Sequence, residues 1–311
     1  MISLTLFLSV AGLGAADVQT QALQALQPMP KAVQADPAVA LRRARLAEVN
    51  ARIRQAQQQP VKMKPIDISK LIVLSPEVFM DLRAAISSFQ LPVRAQGPRG
   101  TCSVHALAFC QEFITCQKQG KTGLNYSVEY LNWAGNAVLG TPYHDGGFYS
   151  DLDKGYQAYG AVVEASAPYQ ASFNASWAPA SAVVTAGKQA PRHTAVFIKP
   201  WDSSKGASQA QLNEALAQIK AKRPVALGAL WPNSTQVQNV DGVDLMVVPS
   251  RPNTFDGHSV VLVGYHKSAK YPGGGYFIFR NSWGTGWGDG GYGFMPFKYV
   301  LDLANDLLVY K

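Results

Sequence analysis

The chain has few cysteines, few charged residues and no long apolar span beyond its first residues. Only three of its 311 residues are cysteines, and 15% are charged. The three thiols, Cys102, Cys110 and Cys116, form an odd set within fifteen positions. On a helix, Cys110 and Cys116 would point to different faces, about 9 Å apart along the axis. The sequence therefore indicates no disulfide framework, and stability must come from a core that 47% hydrophobic residues can supply.

The larger part of the chain also lacks a basic face. The net charge is +8, but nine basic and only four acidic residues fall before residue 76, leaving nineteen against sixteen in the rest. That remainder is nearly neutral and shows no basic stripe with interleaved aromatic residues, so we expect no nucleic-acid partner.

The first sixteen residues are expected to be a signal peptide. "MISLTLFLSVAGLGAA" is an apolar stretch followed by small residues, with cleavage predicted after Ala16. It is too short to cross a bilayer. It lacks a Lys or Arg before the apolar stretch, so an uncleaved apolar arm is the alternative. We expect membrane contact only for export, and a secreted or periplasmic location, or a lysosomal-type compartment in a eukaryote.

Residues 17–75 are predicted to be a basic helical prosegment or N-terminal extension. A helix is expected between Asp36, as its N-cap, and Pro60, as its stop. Its thin apolar stripe comprises Val39, Leu46, Val49 and Ile53. "DISKLIVL", which follows this helix, is interpreted as a strand.

Residues 76–311 are predicted to form an α+β unit. Apolar positions surround much of the segment from Cys102 to about Gln119, which indicates a buried helix. "SQAQLNEALAQIKAKR" predicts a second helix with a capping box made by Ser208 and Gln211. Short β-branched or aromatic segments between Gly and Pro then predict an antiparallel sheet or barrel. We therefore expect a mainly helical half over about 76–200 and a mainly β half over about 201–311.

Cys102 is the first candidate for chemistry. A lone cysteine before a helix is most often a small buried hydrophobe. At the first turn of a helix, however, the macrodipole and unpaired N–H groups favour the thiolate, as a nucleophile requires. Its base would be His258 at the start of a buried strand. Asn281, in the loop after the next strand, could orient the ring, and Trp283 could shield that bond from water.

Three motifs in this order, "QGPRGTC", "GHSVVLVGY" and "NSWGTGWGDGGYG", resemble the signatures of papain-like (C1-type) cysteine peptidases. The resemblance covers about residues 76–311. It implies a papain-like two-domain fold, in which a cleft separates a helical half from an antiparallel β-barrel half. It also implies a hydrolase made as a precursor, a protein or peptide substrate, and no cofactor or metal.

The resemblance carries roles to individual residues. Cys102 would be the thiolate and His258 the imidazolium, while Asn281 would orient the ring. Gln96 would supply the oxyanion hole together with the backbone N–H of Cys102. Candidate substrate-binding residues are Gly146, Gly147, Trp283 and Gly257. The N-terminal segment would be an intramolecular inhibitor.

Several positions depart from the family pattern. Arg99 and His144 stand where many relatives have two disulfide-bonded cysteines, and we expect an exposed ion pair between Arg99 and Asp145 to replace part of that staple. Ser103 replaces a tryptophan. His105, at a position where an aromatic residue is common, is expected to be a satisfied core histidine rather than a competitor for the thiol.

Two other classes of function remain open from the sequence. The same thioester could be passed to an amine by an acyl transferase or peptide ligase, although transglutaminases of that kind usually place an aspartate at the position of Asn281. A catalytically silent papain-like protein could bind peptides without cleaving them. The intact set of Gln96, Cys102, His258 and Asn281 argues against the silent protein.

Overall fold

The computed structural model describes residues 37–140 and 144–311, with side chains from residue 46 onward. The predicted signal peptide and the proposed N-cap Asp36 lie outside these residues. The eight described α-helices are α1 (Pro37–Gln57), α2 (Arg83–Ser88), α3 (Cys102–Gln119), α4 (Val128–Leu139), α5 (Tyr149–Tyr159), α6 (Ser181–Gln189), α7 (Gln209–Lys220) and α8 (Phe297–Leu303). None of them is both long and apolar enough to span a bilayer.

One antiparallel sheet of seven strands forms most of the β structure. The nine described strands are β1 (Phe79–Asp81), β2 (Ala195–Lys199), β3 (Val225–Pro232), β4 (Val237–Val240), β5 (Val243–Met246), β6 (Thr254–Lys267), β7 (Gly275–Arg280), β8 (Tyr292–Pro296) and β9 (Ala304–Tyr310). The sheet order is β2-β9-β3-β6-β7-β8, with β1 also paired to β6, while β4 and β5 form a separate hairpin. The strand segments predicted an antiparallel sheet or barrel, and the described strands form an open antiparallel sheet, in which β2 and β8 are the two end strands of the path.

The central helix α3 is buried as its composition predicts. Every residue from Cys102 to Cys116 is buried, and the helix ends at Gly120, whose φ of 65° is left-handed. α3 contacts β3 and β6 on one side and α4 on the other. This packing fixes the position of Cys102, the first residue of the helix, next to the strand that carries His258.

Two other predictions have contrasting outcomes. The capping box of α7 is confirmed: Ser208 Oγ accepts from the N–H of Gln211, and the Gln211 side chain accepts from the N–H of Ser208. "DISKLIVL" is not a strand. It forms a single 3₁₀ turn, Ile68–Lys70, capped by Asp67, and then further turns. Its apolar residues Ile72 and Val73 are exposed, so hydrophobicity alone was misleading at this position.

The helix α1 lies on the main body of the protein. Ile53 is buried in the main core, and Val49 packs against that core. The contact is made largely with β6. Two members of the predicted apolar stripe therefore explain why this mostly polar helix has a fixed position.

Candidate active site

A cavity between α3, α5, β3, β6 and β9 brings the two principal candidates together. Cys102 and His258 both line it, together with Gly147 and Gly257 from the predicted substrate-binding set. The register of the sheet places His258 opposite Ala229, at a bulge where β3 and β6 change register. The fold thus brings together residues that are 156 positions apart in the sequence.

The imidazole of His258 is held by its Nε2 atom. Nε2 lies 2.9 Å from Asn281 Oδ1, which also accepts the backbone N–H of Ser282 at 2.8 Å. Because Oδ1 can only accept, Nε2 carries the hydrogen and Nδ1 has its lone pair free. Nδ1 is buried and has no hydrogen-bond partner among the described residues. It is the ring nitrogen that could accept a proton from a thiol.

Trp283 covers one face of the His258 ring. The indole stacks on His258 with ring centroids 4.4 Å apart and an interplanar angle of 28°. The buried Trp231 meets the same imidazole edge-on at 4.7 Å. Trp283 therefore contacts His258 and does not line the cavity, so its geometry favours a shielding role over direct contact with substrate.

Gln96 is fully buried behind the cavity. Its Nε2 donates to the carbonyl oxygen of Arg99 at 2.7 Å, and its Oε1 accepts from Ser282 Oγ at 2.6 Å. One amide hydrogen remains for another acceptor. Ser282 joins Gln96 to Asn281, because the Ser282 backbone N–H bonds to Asn281 while its hydroxyl bonds to Gln96.

The two glycines before α5 allow a close approach of backbone. Gly146 has a φ of +70°, and a Cβ at this position would lie 2.4 Å from the carbonyl oxygen of Gly100. Gly147 donates its N–H to Ser103 Oγ at 3.2 Å. Ser103, which replaces the tryptophan of relatives, therefore bonds to the loop that forms one wall of the cavity. Gly146 itself does not line the cavity.

Burial keeps both reactive groups neutral in this arrangement. Burial raises the pKa of the Cys102 thiol to about 11, although hydrogen bonds from Ser259 to the thiolate oppose this shift. Burial lowers the pKa of His258 to about 4, although the hydrogen bond to Asn281 opposes this shift. No hydrogen bond joins Cys102 to His258 in the described structure. Leu46, Val49, Asn50 and Ile53 of α1 line the same cavity, so α1 contributes to this burial.

The expected ion pair of Arg99 exists, but the prediction that it is exposed was wrong. Arg99 is 2% exposed, and its Nη2 lies 2.7 Å from Asp145 Oδ1. A second buried carboxylate, Glu129, also pairs with Arg99. The guanidinium lies over the ring of Tyr169, 4.6 Å from its centroid. Sequence reasoning missed Glu129 because it lies on α4, 30 positions away.

The remaining histidines and thiols have structural surroundings. His105 is a buried core residue, as predicted: its Nδ1 lies 3.0 Å from the Thr101 carbonyl, and burial lowers its pKa to about 3. His193 is buried, with its Nε2 2.7 Å from Thr115 Oγ1. Cys110 and Cys116 are free and buried, and burial raises the pKa of both thiols.

The geometry described above agrees with a comparison to known families. A model described as papain family cysteine protease matches residues 77–300. The chain belongs to this family.

Individual relatives agree with this assignment. An uncharacterized peptidase C1-like protein of Acanthamoeba polyphaga mimivirus is 36% identical over 89 residues, which are 28% of this chain and 27% of that protein. Xylellain, a cysteine protease from Xylella fastidiosa, superposes with a TM-score of 0.57 at 22% identity, over 81% of this chain and 91% of that one. Digestive procathepsin L 3 of Tenebrio molitor larval midgut superposes with a TM-score of 0.56 at 18% identity, over 85% of this chain and 78% of that one. The papain-like fold is thereby confirmed.

Proposed function

We propose that the protein is a cysteine peptidase that hydrolyses peptide bonds through Cys102 and His258 and is made as a precursor closed by α1. The observation that carries this proposal is the free Nδ1 of His258. Asn281 holds the ring by its other nitrogen, and His258 lines the same cavity as Cys102.

In the proposed reaction, His258 Nδ1 takes the proton of the thiol, and the sulfur attacks the peptide carbonyl carbon. A C–S bond forms and the carbonyl oxygen becomes an oxyanion, which the N–H of Cys102 and the amide of Gln96 would stabilise. Such donors contribute on the order of 3 kcal/mol each. Collapse breaks the C–N bond, and the leaving amine takes the proton from Nδ1. Nδ1 then removes a proton from water, and the resulting hydroxide attacks the thioester carbonyl carbon. The C–S bond breaks, the carboxylic acid product leaves, and the sulfur recovers the proton from Nδ1.

The position of α1 supports the precursor part of the proposal. Its residues line the cavity together with Cys102 and His258, and the pKa shifts described above leave both groups neutral. Displacement of α1 would hydrate the site and favour the thiolate–imidazolium pair. The domain limits at residues 16, 75 and 200, export of the protein, and the assigned roles of the site residues stay predictions.

Labelling with an epoxysuccinyl thiol reagent tests the nucleophile. Intact-mass and peptide mass spectrometry should place one adduct on Cys102 and none on Cys110 or Cys116, and His258→Ala should abolish it. Equal labelling of the His258→Ala protein would mean that the thiol is not activated by His258. A trimmed protein that binds peptides but does not label would favour the silent peptide-binding protein.

Trapping of the acyl group tests hydrolysis against transfer. With a peptide substrate and added amines, water should remain the main acceptor, so the carboxylic acid product should predominate. Predominant formation of the new amide at millimolar amine would instead favour an acyl transferase or ligase. Both outcomes require the same thioester, so they differ only in whether water or an amine accepts the acyl group in the last step of the reaction.

A further inference from the structure

The loop from Gln96 to Thr101 separates the two donors proposed for the oxyanion. Gln96 carries the side-chain amide at the start of the loop, and the N–H of Cys102 follows directly after its end. Within the loop, Gly97 has a left-handed φ of 59°, so the backbone turns sharply. The spacing of the two donors depends on this conformation. A group that binds both ends of the loop therefore fixes one donor relative to the other.

The hydroxyl of Tyr169 binds both ends of this loop. It donates to the backbone carbonyl oxygen of Gln96 at 2.9 Å and lies 2.6 Å from Thr101 Oγ1. Because the tyrosine hydrogen is used on Gln96, the hydroxyl of Thr101 is the donor in the second bond. Burial raises the pKa of Tyr169, so its hydroxyl keeps the hydrogen that it donates.

The ring of Tyr169 packs against the same part of the chain. The guanidinium of Arg99, in the middle of the loop, lies over the face of the ring. His105, in the first turn of α3, meets the ring edge-on, with centroids 5.4 Å apart and an interplanar angle of 86°. Tyr169→Phe would keep these ring contacts and remove only the two hydrogen bonds.

Tyr169 is itself anchored through its own backbone and that of the next residue. Its N–H donates to Glu164 Oε1 at 2.6 Å. The N–H of Gln170 donates to Glu129 Oε2 at 3.1 Å, and the carbonyl oxygen of Gln170 accepts from Arg99 Nη1 at 3.0 Å. The tyrosine is therefore tied to the buried ionic cluster of Arg99, which gives its hydroxyl a fixed position.

We propose that Tyr169 is a positioning residue for the oxyanion hole, whose hydroxyl keeps the amide of Gln96 at a fixed distance from the N–H of Cys102. This inference rests on the proposed peptidase function and adds a residue to which the sequence analysis assigned no role. Tyr169 acts through Gln96 and Thr101, not by contact with the substrate. Donors stabilise an oxyanion most when they are already in place, and a displacement of about 1 Å is costly.

The test uses the full chain with Ile53→Glu, which disrupts the docking of α1, with and without Tyr169→Phe. On a peptide substrate, Tyr169→Phe should lower kcat about tenfold and change KM by less than about twofold, because the oxyanion forms only during the reaction. Alkylation of Cys102 by iodoacetamide forms no oxyanion, so its rate should change by less than about twofold. Epoxysuccinyl titration of Cys102 counts the reactive sites in each protein.

A double-mutant cycle identifies the group through which Tyr169 acts. In a Gln96→Ala protein, Tyr169→Phe should lower kcat by less than about threefold, since the amide that it positions is gone. Thr101→Val removes the bond at the other end of the loop and should also lower kcat without slowing alkylation. Tyr130→Phe is the matched control, because this hydroxyl donates to the carbonyl oxygen of Tyr159, outside the loop, at 2.8 Å. Its kcat should be unchanged.

The outcomes separate this inference from the proposed function. If the Ile53→Glu protein cleaves no peptide, the peptidase proposal fails, and this inference with it. If peptides are cleaved and Tyr169→Phe leaves kcat unchanged, only the positioning role is overturned. Equal losses in kcat and in the alkylation rate overturn that role as well, because the hydroxyl would then act on the thiol or on folding. An undiminished effect in the Gln96→Ala protein also overturns it, since the effect would not pass through Gln96.

Discussion

At the scale of single residues, Arg99 shows how this chain stabilises the loops around Cys102 without a disulfide. Its guanidinium pairs with Asp145 just before Gly146 and with Glu129 on α4, and it donates to the Gln170 carbonyl at 3.0 Å. All three charged side chains are buried. A buried charge of this kind needs its partners, because each group left alone would be desolvated without compensation.

We expect Arg99→Met to destabilise the protein by about 3–5 kcal/mol, because two buried carboxylates lose their cation. Urea unfolding measures this change in the free energy of unfolding. Lys298→Met, which breaks the exposed pair with Asp302, should cost only about 0–1 kcal/mol.

A third protein checks the physical reason for that loss. Arg99→Met combined with Glu129→Gln and Asp145→Asn leaves no unpaired charge and should recover part of the lost stability. If Arg99→Met and Lys298→Met lower the free energy of unfolding by the same amount, the prediction that Arg99 holds a buried ionic cluster together is contradicted.

Sequence motifs pointed to some of the residues at the candidate site and missed others for a physical reason. Cys102, His258 and Asn281 lie in motifs whose local spacing resembles a known family. Asp306, which also lines the cavity, lies in "ANDLLVYK", a run typical of a buried strand. Its relation to the cavity depends on the register of β9 with β3, which brings it opposite Gly228. No local pattern encodes that register, so the carboxylate could be found only in the folded chain.

At the scale of elements, the sequence predicted α1 but not where it docks. The spacing of Val49 and Ile53 indicates an amphipathic helix and nothing about its partner. In the structure these residues lie on the main core and at the cavity. The same limit applies to the sheet: alternating segments predict antiparallel strands, whereas closure into a barrel depends on long-range pairing that the strand patterns do not specify.

We expect Ile53→Glu to increase the rate of epoxysuccinyl labelling of Cys102 about tenfold or more. Burial of an isoleucine side chain stabilises docking by about 1.5–3 kcal/mol, and a buried glutamate would add a desolvation cost. Arg54→Glu is the matched control, because the neighbouring residue is exposed and receives the same new side chain.

The comparison of these two variants decides the role of α1. Equal labelling rates in both proteins would mean that α1 does not limit access to Cys102. Faster labelling in Ile53→Glu alone, with hydrogen exchange increased over α1, would support the intramolecular inhibitor.

At the scale of the whole molecule, two buried groups at the cavity make stability depend on pH in opposite directions. Burial lowers the pKa of His258 from 6.5 to about 4. The unfolded chain therefore binds the extra proton first, and stability is lost as pH falls from about 6.5 to 4. Burial raises the pKa of Asp306 from 3.8 to about 7, helped by Asp256 and opposed by Lys199. Its contribution is present below about pH 4 and is lost as pH rises through 7.

Variants at the two positions should separate these contributions. By linkage, His258 accounts for a loss of roughly 3 kcal/mol on acidification, and Asp306 for up to about 4 kcal/mol on going to neutral pH. Relative to the unmodified protein, Asp306→Asn should therefore gain stability at pH 7.5 and change little at pH 3.5. His258→Gln should gain stability relative to the unmodified protein at pH 4. Urea unfolding at these pH values measures both differences. If the free energy of unfolding of a variant differs from that of the unmodified protein by the same amount at every pH, the titration of the substituted group is contradicted. A gain for Asp306→Asn at neutral pH would mean that the fold carries this buried carboxylate at a cost in stability.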